Sequence, residues 1–235
     1  MPKIHYAWFI GLAAGSILLF ISYLFLSTFN YKKRFENKYD IRNCFPYEFN
    51  FESKITDNLL GNVALFGSMF MSMGLFALGL AFYQTNGYIM AAIIAGILYS
   101  ILVLGINFTP VRLLRFHFVV MVILFVASLF TPMALGLTSF SVYQTSKQVF
   151  PLVLMILCFI VGFAMFVLIM NPKLSFNIKM KVAVDEQGNE RYVRPDFIPV
   201  AFTQWLMVLL LPINQILYCL LIIAICLKQI LPKIY

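Results

Sequence analysis

The sequence predicts an all-α integral membrane protein: a bundle of six transmembrane helices in one polytopic domain over 1–235, with a small β-hairpin in its last large loop. Three observations carry this expectation. Of 235 residues, 62% are hydrophobic and 11% charged, with a mean hydropathy of +0.92. A soluble domain carries roughly 25% charged residues, and no soluble fold of this size hides so much apolar surface. The apolar residues fall in runs long enough for helices of about 20 residues, the length that crosses the hydrocarbon core. All nine carboxylates lie in two polar stretches, 31–58 and 173–196.

The first span is expected at 7–27. It carries Gly11 and Gly15 at the GxxxG spacing that permits close helix contact. The amino terminus lacks a small-residue cleavage site and its apolar run exceeds a signal-peptide core, so it reads as a retained span. The polar loop 31–58 follows. Pro46 and its clustered Asn residues argue against a continuous helix there, and the asymmetry of basic residues between the two faces leads to the expectation that Cys44 is accessible to labelling from the cytosol.

No charge occurs from Leu59 to Val111, room for two spans. The break falls at Gln84-Thr85-Asn86-Gly87, since Asn-Gly is a strong turn signal, which gives spans at 59–83 and 88–108. Ala64, Ser68 and Ser72 recur every four residues, as do Ala92, Gly96 and Ser100. Such stripes let helix backbones approach. A fourth span is expected at 117–139, with Pro132 as a kink, then a polar loop 140–149. The fifth span, 150–170, stops at Asn171-Pro172.

In the loop 173–196, Ile178, Met180, Val182 and Val184 alternate with Lys179, Lys181 and Ala183, a period-two strand pattern. A turn over 185–190 and a return through Arg191–Arg194 complete a hairpin, with one face expected on lipid headgroups or on the first loop. The sixth span is 197–227, interrupted by Pro212 and the polar pair Asn214-Gln215. Lys228 and Lys233 end it by snorkelling.

The first, third and fifth loops share one membrane face, and they hold 13 of the 17 Lys and Arg. The positive-inside rule puts that face in the cytosol and both termini outside. No Asp, Glu, Lys or Arg lies centrally in a span. Only amides and hydroxyls occur there, Asn62, Gln204, Asn214 and Gln215 among them, a pattern unlike pumps, voltage sensors and proton-coupled carriers.

The net charge of +8 fits cytosolic loops and anionic headgroups. No basic–aromatic strip suggests nucleic acid. Cys44, Cys158, Cys219 and Cys226 show no CxxC or Cys/His spacing, so neither a disulfide framework nor a metal site is expected, and no cofactor motif appears. His117, opening the fourth span, is the one candidate for catalysis, as a general base paired with Glu48, Asp57 or Asp196. The alternative is an interfacial histidine wetting its ring at the headgroups, and the balance of motifs favours a non-enzymatic role. His5 has no acidic neighbour. Arg112 and Arg115 are suited to phosphate headgroups through the guanidinium fork, or simply fix topology. Asn107-Phe108-Thr109 matches a glycosylation sequon but sits at a span edge on the cytosolic side. The expected partners are membrane lipids and other membrane protein subunits, in an endomembrane or the plasma membrane.

Asp40-Ile41-Arg42-Asn43-Cys44-Phe45-Pro46-Tyr47 resembles the aromatic/aliphatic–Pro element in the long first loop of one six-span family. That family contains the damage-regulated autophagy modulators and the factor that remodels GPI anchors after their attachment to protein. Phe202-Thr203-Gln204-Trp205-Leu206 is similar to the start of the family's final helix, and His117 falls where such proteins often have a histidine. Tyr47-Glu48-Phe49 lacks the Ile-Ser that usually follows the proline, and Gln204 replaces an acid. The resemblance implies a role in lipid handling or membrane traffic in endomembranes. It also implies a luminal or outer first loop, opposite to the charge rule, so both orientations stay open.

Overall fold

A computed structural model describes residues 4–35, 39–50, 55–82, 87–109, 113–174, 181–184 and 190–230. Six helices are each long and apolar enough to span a membrane. They are α1 (Ile4–Phe35), α2 (Leu59–Phe82), α3 (Gly87–Phe108), α4 (Leu114–Ser146), α5 (Val149–Ile169) and α6 (Pro199–Ile230). Two strands, β1 (Lys181–Val184) and β2 (Glu190–Val193), pair antiparallel with Val182 opposite Tyr192. The hairpin is therefore present. Its turn at 185–189 lies outside the described residues, as do 178–180 of the expected first strand and 84–86 of the expected Gln84–Gly87 turn.

Two helices run further than the sequence suggested, for identifiable reasons. α1 continues to Phe35, through the start of the expected polar loop. Tyr31-Lys32-Lys33-Arg34-Phe35 contains no breaker, and three basic residues in the last turn complement the negative end of the helix dipole. α4 extends to Ser146, absorbing most of the loop expected at 140–149. A hydroxyl in this part bonds back to carbonyls of the same helix, Thr145 Oγ1 lying 3.2 Å from Ser141 O and 3.0 Å from Val142 O, as Thr138 and Ser139 do just before it. Their polarity therefore needs no loop. α4 ends at Lys147, whose left-handed backbone (φ 55°) lets its N–H bond Tyr143 O at 2.8 Å, the geometry of an αL helix stop. Pro132 lies inside α4 without ending it.

α1 packs on α2, α3 and α5 flank α4, and α6 threads the middle, the most buried of the six. One apolar core sits toward the loop-rich end, around Tyr23, Met69, Tyr99, Leu124 and Trp205. The other sits toward the opposite end, around Phe9, Phe76, Leu135, Leu154 and Tyr218. The outer surfaces remain apolar, with Trp8, Phe25, Phe70 and Phe163 all exposed. Helices that are apolar all round and still show such side chains are built to meet lipid.

The small-residue stripes do face neighbouring helices. Ser72 and Ser100 hydrogen bond across α2 and α3 at 2.8 Å, and the buried Gly96 receives the ring of Phe76. The GxxxG pair is only half used: Gly15 abuts Met71, whereas an added carbon on Gly11 would meet nothing within 4 Å.

Candidate functional site

The first loop folds back over the end of the bundle. Asp40 starts its turn: the N–H groups of Asn43 and Cys44 bond to Asp40 O, and Arg42 N–H bonds to the Asp40 carboxylate. Pro46 then opens a 3-10 turn, Pro46–Phe49, a favoured place for a residue with fixed φ and no N–H. Glu48 at the third position reaches back to accept the Phe45 N–H at 2.9 Å, one half of a capping box. Every residue of this turn is buried. The segment 43–49 of the polar loop is thus an inward-facing plug.

Aromatic rings fill the space beneath it. Tyr39, Phe49 and Trp205 form a cluster with centroids 4.2 to 5.8 Å apart. Trp205 Nε1 donates to Cys44 O at 2.9 Å and lies 3.1 Å from Tyr39 Oη, which itself donates to Phe45 O at 2.6 Å. Burial pushes the Tyr39 phenol well above its ordinary range, which keeps it a neutral donor.

Arg194, one residue beyond β2, ties the second large loop to the first. Its Nη1 lies 2.9 and 3.0 Å from the two Glu48 oxygens and 3.2 Å from Asn43 O. Burial alone would lower its pKa, but the hydrogen bond and charge of Glu48 hold it above the ordinary arginine value. Ile198 N–H donates to Arg42 O at 2.8 Å and Asn43 Nδ2 to Pro195 O at 3.3 Å, closing the same seam. The second large loop thus meets the first through residues that follow β2, while Val182 and Val193 of the strands themselves are exposed. Cys44 lies inside it and is buried, contrary to the expected access. Burial is also the main cause of a raised thiol pKa there.

His117 sits at this plug but not among acids. It is 5% exposed, so it is not a wetted interfacial ring. Its Nδ1 lies 2.8 Å from Thr109 O. A carbonyl only accepts, so Nδ1 carries the proton, and in the neutral ring Nε2 is left as an acceptor. Gln204 Nε2 stands 3.5 Å from that nitrogen, and the Tyr47 ring meets the imidazole edge-on at 5.3 Å. The carboxylates proposed from sequence lie elsewhere. Glu48 is held by Arg194, Asp196 pairs with Lys181 at 2.6 Å, and Asp57 is within electrostatic reach of Arg34. The ring is a positioned neutral imidazole facing an amide.

Arg115 is exposed at the start of α4; Arg112 lies outside the described residues. Asn107 is fully buried, accepting from Tyr23 Oη and donating to Val103 O, which leaves no room for a glycan. Among the described residues no three His, Cys, Asp or Glu side chains gather as metal ligands. Sequence reasoning missed the Glu48–Arg194 pair and the hydrogen-bonding role of Trp205. Pro46 with Glu48 two residues on hints at the local turn, but not at the pair. The partner of Glu48 across the chain has no local signature.

No protein-family model matches this chain, and comparison with curated proteins and with solved structures also gives no match.

Proposed function

We propose that this chain is a non-enzymatic multi-pass membrane protein that works in lipid handling or membrane traffic, its loop face docked on anionic headgroups. One observation carries the reading. Among the described residues, three acids of this face are paired within the protein, Asp40 with Arg42, Glu48 with Arg194 and Asp196 with Lys181. Among the described residues, Lys32, Lys33, Arg115 and Lys173 are meanwhile exposed, with no acid paired to their side chains. Exposed cations beside acids that are already paired attract anionic lipid, at about 1 kcal/mol per basic residue near the surface.

The family resemblance supports the endomembrane part of this reading. The three places that carry it, 40–47, 202–206 and His117, are far apart in sequence yet converge. Trp205 bonds Cys44 O, and His117 touches both Tyr47 and Gln204. An accessory role beside other membrane subunits uses the same surface.

The test is lipid retention. The protein is reconstituted in nanodiscs with equal phosphatidylcholine and phosphatidylserine, and retained lipid is identified by native mass spectrometry. Enrichment of the anionic lipid is expected, and Arg115→Gln with Lys173→Gln should reduce it. Equal retention of both lipids would sink the proposal. A second reading, a lipid-modifying enzyme or transporter centred on His117, draws on one observation: Gln204 Oε1 is buried beside the ring without a hydrogen-bond partner.

A further inference from the structure

The bundle interior between α1, α2, α3 and α6 is polar without being charged. Near mid-helix, Ser16 Oγ donates to Ser68 O and Ser68 Oγ to Ser16 O, both at 2.8 Å. Gln215 Nε2 of α6 donates to Ser16 Oγ at 2.9 Å. These groups satisfy one another. On the same two helices, α2 and α6, other buried amides do not. Gln215 Oε1, both polar atoms of Asn214 and both of Asn62 have no hydrogen-bond partner. Yet Asn214 is 0%, Gln215 1% and Asn62 3% exposed.

Five open amide atoms inside a membrane protein contradict the rule that buried polar groups are paired. Lipid cannot reach them, because they are shielded from the surface. A cation would need carboxylates or a ring of carbonyls, and an anion a positive partner. The seam provides neither, since its side chains are hydroxyls and amides. What fits is a small neutral group that both donates and accepts. A second feature points the same way: Pro212 lies inside α6 two residues before Asn214. Its missing N–H leaves the Val208 carbonyl without its helix partner, and such breaks are commonly completed by ordered water.

We propose that the seam around Asn214 and Gln215 is an internal water-binding site, with ordered water completing the amides that the protein leaves open. Each water takes two to four polar partners, so a few molecules suffice. This inference is independent of the lipid-docking reading.

Radiolytic footprinting tests it, because millisecond X-ray exposure oxidises side chains beside bound water even where bulk solvent is excluded. The full chain in detergent micelles is exposed and its peptides sequenced by mass spectrometry. Tyr218, one turn from Asn214, and Met69, next to Ser68, should be oxidised several-fold faster than Cys158. All three are fully buried, and Cys158 packs against Gly136 in the apolar α4–α5 contact. Tyr218 and Met69 as silent as Cys158 would overturn the proposal. Thermal unfolding of Asn214→Leu gives a second reading. If the amide holds water, Leu strands that water's remaining partners and the midpoint falls. A rise, or no change, means that the amide held nothing and overturns the proposal too.

Discussion

Arg194 Nη1 lies within 3.0 Å of both carboxylate oxygens of Glu48, joining loops that are 146 residues apart in sequence. Glu48 thereby has two structural duties, since the oxygen that caps the Phe45 N–H is also held by the guanidinium.

This pair should be worth keeping together. Glu48→Gln preserves an acceptor for Phe45 but removes the charge. Complete burial of both partners would make that cost about 3–5 kcal/mol. The Arg194 side chain is 40% exposed, so solvent screening brings the expected loss to about 1–2 kcal/mol. Arg194→Leu should cost as much, because Glu48 is then buried without its cation. The double variant should be less damaging than the sum of the two. Thermal unfolding in detergent reads all three; strict additivity would show that the pair is not coupled.

Orientation is testable with engineered thiols. Lys173 and Lys147 are both exposed, on opposite ends of the bundle. In a background lacking native cysteines, the charge rule expects Lys173→Cys to be labelled from the cytosol and Lys147→Cys from the other side. The reverse would favour the topology implied by the family resemblance. Native Cys44 is a poor reporter, since it is buried and its thiol pKa is raised. The thiolate is the reactive form. Cys44 labelling should therefore be slow at neutral pH and accelerate only above the pH that activates a cysteine at position 173.

Span number and most span ends were legible because they rest on length and hydropathy, which are local properties. The hairpin was legible from the alternation of Val182 and Val184 with Lys181 and Ala183. The candidate site was legible only as ingredients. His117, Glu48 and Gln204 were each visible, but which of them meet depends on how loops close between distant helices. Charge logic paired His117 with an acid. The fold instead gave the acid to Arg194 and the histidine to an amide. The inward turn of 39–50 was hidden for a related reason. Its charges advertise a solvated loop, whereas Tyr39, Phe45, Tyr47 and Phe49 supply the apolar surface that buries it.

Glycines should separate by what surrounds them. An added methyl at Gly96 would stand 2.4 Å from the Phe76 ring, and one at Gly79 would meet the Tyr218 hydroxyl. Both neighbours are fully buried. Gly96→Ala and Gly79→Ala should each cost about 1–3 kcal/mol through overpacking. Gly11→Ala should be neutral or slightly stabilising, since nothing lies within 4 Å and alanine favours the helix. Thermal midpoints of the three variants decide it, and a damaging Gly11→Ala would mean that a partner covers the outer face of α1.

His117→Gln sets the two functional readings against each other. The ring is buried, so the change is not free: the Thr109 carbonyl loses its Nδ1–H donor unless the shorter amide reaches it. A lost buried hydrogen bond costs about 1–3 kcal/mol, which should lower the thermal midpoint while leaving membrane insertion and expression intact. His117→Leu should be worse, because both Thr109 O and the Gln204 amide then lack a partner. Under the non-enzymatic reading, His117→Gln keeps anionic-lipid retention and any trafficking phenotype at near wild-type levels. Under the enzymatic reading, loss of a general base removes about 10²–10⁴-fold in rate, far more than a modest stability loss produces. Gln204→Glu provides the converse arm. It places an acid 3.5 Å from Nε2, the ion-paired arrangement that sequence reasoning expected, and an enzyme relying on that base would change its pH profile. Retained lipid binding in both variants is the expected outcome. A folded His117→Gln protein that has lost all function would overturn the non-enzymatic reading.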